Sequence, residues 1–210
     1  MASGSILRLI LSVAAGYLLG NISPATIMGR LQGVDIRKEG SGNPGTTNTL
    51  RVLGAKSAVI TLIIDILKGV AAVLIGRYFG GTELAAYAAG TAAFLGHLYP
   101  AFYGLKGGKG IATGFGILLI LDWRIGLIAM VTAVLGALLS KRMSVGSLAA
   151  AVSLPVAYGI LHGVPLVFWG LFIGAMVFWR HRSNIQRLIH HEEPTIGFLD
   201  RKKKEGTKND

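Results

Sequence analysis

Residues 57–79 read SAVITLIIDILKGVAAVLIGRYF. Apart from Asp65, Lys68 and Arg77 this run is uncharged, and its 23 residues are enough to carry a helix across a bilayer. Asp65 and Lys68 stand three apart, so a helix places them on one face, where they neutralise each other. Ionisable groups inside a span are functional candidates by default. From the sequence, a structural ion pair reads equally well.

Working outward, similar runs recur from end to end. The chain has 210 residues, 52% of them hydrophobic and 15% charged, with a mean hydropathy of +0.58. A soluble domain carries about 25% charged residues. The fold class expected is therefore an all-α polytopic membrane protein. Seven helices are expected: Ile6–Met28, Ser57–Phe79, Leu84 to about Phe102, Ile111–Leu121, Ile125–Leu139, Val145–Leu161 and Pro165–Phe178. Those over 111–121 and 125–139 are short for a perpendicular crossing. The first run is too long for a signal peptide and lacks a charged start and a cleavage site. Gly16 and Gly20 are spaced for close helix contact. The 30 glycines fit tight helix packing and non-helical backbone around a site.

An odd number of spans puts the termini on opposite sides. Loop 30–56, turn 104–110, turn 140–144 and the tail then share one side, with most of the lysines and arginines, against Arg8, Arg77 and Arg124 on the other. The positive-inside rule makes the crowded side cytoplasmic, the N-terminus outside and the C-terminus inside. Residues 1–200 read as one transmembrane domain, and 201–210 as a basic disordered tail drawn to the membrane surface. A net charge of +11 spread over short loops argues for no nucleic-acid partner. The absence of cysteine excludes disulfides, thiolate chemistry and zinc–cysteine sites.

Three polar segments face the cytoplasmic side. In SGNPGTTNTLR (41–51), Ser41, Gly42, Asn43, Gly45, Thr46 and Asn48 supply hydroxyls, amides and unhindered N–H groups, beside Arg51 as a bidentate anion partner. In GHLYPAFYGLKGGKGIAT (96–113), Lys106 and Lys109 alternate with Gly107, Gly108 and Gly110 just before an apolar helix. Glycine N–H groups converging on oxygens, two ammonium groups and a helix dipole suit a phosphate, although a basic turn between spans has the same composition. The segment is not a nucleotide P-loop, because no G-x-x-x-x-G-K-[ST] occurs. The third segment, His181-Arg182-Ser183-Asn184, closes the last span.

This array is rich in donors and poor in carboxylates. No tight acidic cluster suggests a metal site, and no G-x-S-x-G marks a hydrolase nucleophile. Such a site suits a substrate that is already activated and bears its own phosphate, for which positioning and charge stabilisation supply most of the catalysis. The strongest rival class is an organic-phosphate transporter, which requires polar residues through both leaflets. A flux assay in proteoliposomes beside an assay of phosphate release separates the two.

The three segments, SGNPGTTNTLR, GHLYPAFYGLKGGKGIAT and HRSNIQRLIHHEEPTIG (181–197), resemble in order and spacing the three motifs of the bacterial acyl-phosphate:glycerol-3-phosphate acyltransferases. Asp65-x-x-Lys68-Gly69 and Ser144-x-x-Ser147 also sit where that family has similar elements, so the resemblance covers essentially the whole chain. Departures are Leu105 where an aromatic is common, Met143 where tyrosine is expected, and His190-His191 at a variable spot. The H-x-x-x-x-D motif of the other glycerol-phosphate acyltransferases is absent.

The resemblance implies transfer of a fatty acyl group from acyl phosphate to the 1-hydroxyl of glycerol 3-phosphate, giving lysophosphatidic acid and phosphate in phospholipid synthesis. It implies no cofactor, no metal and no covalent acyl-enzyme. Catalytic roles fall to Ser41, Arg51, Lys109, His181 and Asn184. Substrate contacts fall to Gly42, Asn43, Gly45, Thr46, Asn48, His97, Lys106, Gly107, Gly108, Gly110 and Ser147. The partners implied are acyl phosphate, glycerol 3-phosphate and membrane lipid, with functional coupling to the enzyme supplying acyl phosphate. The protein is expected to be a monomer in the bacterial inner membrane with its site facing the cytoplasm.

Overall fold

The computed structural model describes residues 3–196, and all its regular structure there is helical. The lysine-rich tail expected over 201–210 lies outside the described residues. The described chain divides into two compact units, with the boundary between Gly126 and Leu127.

In the first unit, α1 (Ser3–Asn21) is followed by α2 (Pro24–Leu31). The single span expected over Ile6–Met28 is therefore interrupted at Ile22 and Ser23. Pro24 has no N–H to continue α1, and it starts the next helix instead, at a position where that N–H is not needed. The long polar loop expected over 30–56 contains a helix, α3 (Thr46–Leu53), and α4 starts directly afterwards at Ala55. α4 (Ala55–Leu74) runs into a π-helical turn, Ile75–Phe79. Then come α5 (Glu83–Leu98), a 3-10 turn (Ala101–Tyr103) and α6 (Ile111–Leu121). α5 stops short of the Phe102 limit expected, because Tyr99 leaves helical geometry ahead of Pro100.

Small residues set the spacing in this unit. A methyl group on Gly16 or Gly20 would overlap the carbonyls of Ala89 and Ala93, and one on Gly96 would overlap that of Tyr17. The glycine pair read from the sequence thus brings α1 into backbone contact with α5. α4 and α6 meet the same way, Gly69 against the Thr113 carbonyl and Gly116 against that of Ile66. Gly90 of α5 leaves space for Val73 and Ile117, each 3.0 Å from where its methyl would stand. Arg77 forks onto Glu83 at 2.8 and 2.9 Å and donates to the Ile120 carbonyl at 3.0 Å, satisfying one of the last acceptors of α6.

The second unit holds α7 (Trp123–Ser140) from Leu127 onward, α8 (Met143–His162), α9 (Val164–Arg180) and α10 (Arg182–Ile189). α7 is longer than the 125–139 span expected, since Trp123 and Arg124 are already helical. The carboxylate of Asp122 accepts the Arg124 N–H at 2.9 Å, which starts that helix. Gly146 of α8 lies against Ala133 and Ala137, and Gly170 of α9 against Pro155. α10, not foreseen as a helix, leaves α9 at 61°.

Four segments are long and apolar enough to cross a membrane: Gly4–Leu31, Ala55–Phe79, Trp123–Ser140 and Met143–His162. A fifth is added if the bent α9–α10 pair is one span. α5, with 16 residues, and α6, with 11, are the remaining members of the seven expected from the sequence.

Candidate active site

In the first unit the loop before α3 is built around Asn48, which is 1% exposed. Its Nδ2 donates to the carbonyls of Ile36 (3.1 Å) and Glu39 (2.9 Å), and its Oδ1 accepts the Ser41 N–H at 2.8 Å. Asn48 was expected to contact substrate. The structure instead uses its amide to brace the loop, because those backbone groups have no helix or strand to pair with. Gly40, at φ +59°, lies so close to the Asn48 amide that a side chain there would collide with it. Ser41 is consequently fixed by its backbone while the residue stays exposed. α3 begins after Gly45, whose extended backbone supplies no side-chain cap, so the first N–H groups of the helix lack the usual internal acceptor. Asn43, Gly45, Thr46 and Thr47 are partly exposed along this start, and Arg51 is exposed in the last turn. Replacing Asn48 with alanine should cost about 2–3 kcal/mol through stranded loop carbonyls and an unpaired Ser41 N–H. Thermal unfolding in detergent measures this; an unchanged midpoint would contradict the bracing role.

The lysine–glycine turn departs from the expected arrangement in one respect. The Gly107 and Gly108 N–H groups were read as converging on a phosphate. They donate to the carbonyls of Leu98 (3.1 Å) and His97 (3.0 Å), which are orphan acceptors at the end of α5. A Cβ on Gly107 would overlap the His97 carbonyl, and one on Gly108 would overlap His97 Nε2, so both glycines are needed for this close approach. Gly110, at φ +82°, precedes α6 and again provides no side-chain cap. Lys109 is half-buried and Lys106 exposed, flanking that helix start.

The end of α2 touches both segments. Gly29 lies beneath Val34 and Ile36 of the loop, and the Arg30 guanidinium stands 5.7 Å above the Tyr103 ring, next to the lysine turn. The first two sequence motifs thus share one end of the first unit. Below them, Asp65, Lys68 and His97 form a buried cluster. Lys68 Nζ lies 2.8 Å from both Asp65 Oδ1 and His97 Nδ1, and His97 Nδ1 is 3.3 Å from Asp65 Oδ1. The sequence left this pair open between structural and catalytic roles; the structure adds His97 as its third member.

In the second unit, His181 is 2% exposed at the joint between α9 and α10. Its Nδ1 lies 2.8 Å from the Val177 carbonyl, which only accepts, so Nδ1 carries a proton. Asn184, one turn into α10, donates to Glu193 Oε1 at 2.6 Å, and Arg187 Nε donates to Oε2 at 2.8 Å. Ser147 donates to the Met143 carbonyl at 3.1 Å in the first turns of α8. The returning chain is tied to the start of α8 by Arg142 Nε to the Glu193 carbonyl (3.1 Å) and Ile196 N–H to the Lys141 carbonyl (2.8 Å).

Glu193 organises this end of the unit, a role the sequence reading missed. Burial pushes its carboxyl up, but the hydrogen bonds from Asn184 and Arg187, with the Arg187 charge, hold it below the ordinary glutamate value. The available signal was one of charge, an acid within a segment carrying Arg180, Arg182 and Arg187. Among the described residues, no group of three or more potential ligands is placed to hold a metal ion.

Comparison with known proteins bears directly on this arrangement. The model of the family described as glycerol-3-phosphate acyltransferase matches residues 10–191. A glycerol-3-phosphate acyltransferase of Thioalkalivibrio sulfidiphilus is 43% identical over 195 residues, covering 92% of this chain and 96% of its own. One from Caulobacter vibrioides is 44% identical over 201 residues, covering 94% and 92%. Among solved structures, PlsY, an integral membrane glycerol 3-phosphate acyltransferase in its glycerol 3-phosphate form, superposes with a TM-score of 0.85. It is 36% identical, covering 91% of this chain and 97% of its own. The lysophosphatidic acid form of PlsY gives a TM-score of 0.81.

Proposed function

The chain belongs to the glycerol-3-phosphate acyltransferase family, and from that premise we propose that it transfers a fatty acyl group from acyl phosphate directly to the 1-hydroxyl of glycerol 3-phosphate. It is an integral membrane acyltransferase. The donor, the direct transfer and the residue roles are our reading. One observation carries it: in the first unit two helices, α3 and α6, start at uncapped glycines, the first shortly after the exposed Ser41 and the second shortly after Lys106 and Lys109, while Arg51 lies in the last turn of α3. Uncapped N-termini present N–H groups and positive dipole ends to phosphate oxygens, and both substrates carry a phosphate.

The loop of Ser41, Gly42, Asn43, Gly45 and Thr46 is assigned to the donor's phosphate. Arg51 and Lys109 are assigned to glycerol 3-phosphate, and Lys106 and Gly110 to the charge of either phosphate. Ser147, His181 and Asn184, in the second unit, are read as substrate contacts from the motif resemblance, with His181 and Asn184 held by Val177 and Glu193. In the reaction, the 1-hydroxyl oxygen bonds to the acyl carbon and the acyl–phosphate C–O bond breaks. Phosphate leaves with the bonding pair and takes up the hydroxyl proton. Phosphate is a good leaving group, so stabilising the carbonyl oxyanion and aligning the hydroxyl suffice. The acyl chain needs only apolar surface and lipid, and the positive-inside distribution supports a reaction at the cytoplasmic face. Lysophosphatidic acid then enters phospholipid synthesis. The protein acts as a monomer, coupled in function to whichever enzyme forms acyl phosphate.

Phosphate release by purified protein in detergent tests the reading. Release from acyl phosphate should require glycerol 3-phosphate and match lysophosphatidic acid formed, without a burst of covalently acylated protein. Turnover with acyl-CoA but not acyl phosphate would overturn the donor assignment. An acylated intermediate would overturn direct transfer.

A further inference from the structure

The reaction above does not use Asp65 or Lys68, although both are buried in α4. Their surroundings are closed. Lys68 Nζ donates to the Ile22 carbonyl at 2.7 Å and the Gly20 carbonyl at 3.1 Å, and lies 2.8 Å from Asp65 and from His97 Nδ1. Those two carbonyls lie where α1 breaks before Pro24 and lacks helical partners for them, so Lys68 takes the place of the missing turn. Between them, Asn21 uses its Oδ1 to accept the Phe102 N–H at 3.4 Å, and Tyr17 donates to the Tyr99 carbonyl at 2.9 Å. The end of α1 therefore grips the segment leading into the lysine–glycine turn.

His97 grips the same turn from the other side. An ammonium only donates, so the short contact from Lys68 makes His97 Nδ1 an acceptor and leaves the ring proton on Nε2. The alternative tautomer would use the longer 3.3 Å approach to Asp65. The Nε2 edge lies against Gly108, where a Cβ would overlap it, and the His97 carbonyl accepts the Gly108 N–H at 3.0 Å. Ring and backbone of one residue thus fix the middle of the turn that carries Lys106 and Lys109.

We propose that Asp65 and Lys68 are positioning residues for the lysine–glycine turn: they lock His97 in the Nε2–H tautomer against Gly108 and tie α1 to the same turn, so that Lys109 is held in one geometry. This rests on the reading of the turn as a phosphate site.

The experiment combines nitrogen-15 NMR of histidine-labelled protein in detergent micelles with steady-state kinetics. The His97 signal is identified by its loss in His97→Gln. In the unmodified protein it should show the Nε2–H tautomer. In Lys68→Met it should change to the other tautomer or to a mixture. The KM for glycerol 3-phosphate should rise about 10- to 100-fold, more than kcat falls. Lys68→Met combined with His97→Gln should be no worse than the more damaging single change. Should Lys68→Met not fold because Asp65 is left unpaired, Asp65→Leu with Lys68→Met removes both charges and every donor they offer, and should show the same loss of tautomer.

An Nδ1–H tautomer in the unmodified protein, an unchanged signal in the variants, or fully additive kinetic effects would each overturn the proposal. The tautomer is read without turnover. A protein with the expected tautomer but no glycerol 3-phosphate-dependent activity would therefore sink the proposed function and leave the positioning of the turn standing.

Discussion

Lys109→Ala should lower kcat/KM for glycerol 3-phosphate by about 10²–10³-fold, with little change in thermal stability. The side chain is half-buried beside the uncapped start of α6, and it adds a full charge to a helix end that supplies only a partial one. Truncation to alanine leaves the glycines and their bonds to Leu98 and His97 in place. The loss should therefore fall on substrate handling and spare folding. Lys109→Arg keeps the charge but broadens the head group beside tightly packed glycines, so it should recover only part of the activity. Lys106→Ala, at an exposed position, should be milder. Initial rates at varied glycerol 3-phosphate, together with a melting curve for each variant, check these outcomes. Equal kinetics for Lys109→Ala and the parent protein would remove Lys109 from the site.

Glu193→Ala should be the most damaging change to the second unit, at about 2–4 kcal/mol. Its carboxylate receives Asn184 at 2.6 Å and Arg187 at 2.8 Å, and is 6% exposed as a residue. Removing it strands the buried Asn184 amide, while Arg187, less deeply buried, recovers some solvation. Activity should fall with stability, because Asn184 loses its orientation. The pH dependence has a definite sign. The native carboxyl titrates below its ordinary value, so its contribution is complete above the unfolded pKa, near pH 4.3, and is lost as pH falls through the lower native value. Glu193→Gln should therefore be clearly less stable than the parent at pH 7, and the gap should narrow in acid. Melting curves from pH 7 down through the native value, to about pH 2.5, measure it. A gap independent of pH would mean that the charge contributes nothing.

Much about this protein was legible in the sequence, because the properties concerned depend on composition and local spacing. Apolar runs such as 57–79 fix the membrane class and helical architecture, since only internally bonded backbone is tolerated in hydrocarbon. The four-residue spacing of Gly16 and Gly20 announced a close helix contact, and the three polar motifs announced the family. Tertiary structure decided what each polar group has as its partner. Asn48, Gly107 and Gly108 look like substrate donors in the sequence. Folding commits the amide of Asn48 to Ile36, Glu39 and Ser41, and the glycine N–H groups to the end of α5, because backbone groups left by loops and helix ends must be satisfied from whatever is near. The joining of His97 to Asp65 and Lys68, 29 residues away along the chain from the lysine, was likewise invisible locally. So was the return of Glu193 to Asn184. Contacts of this kind depend on how helices stack, and no spacing along a single helix encodes them.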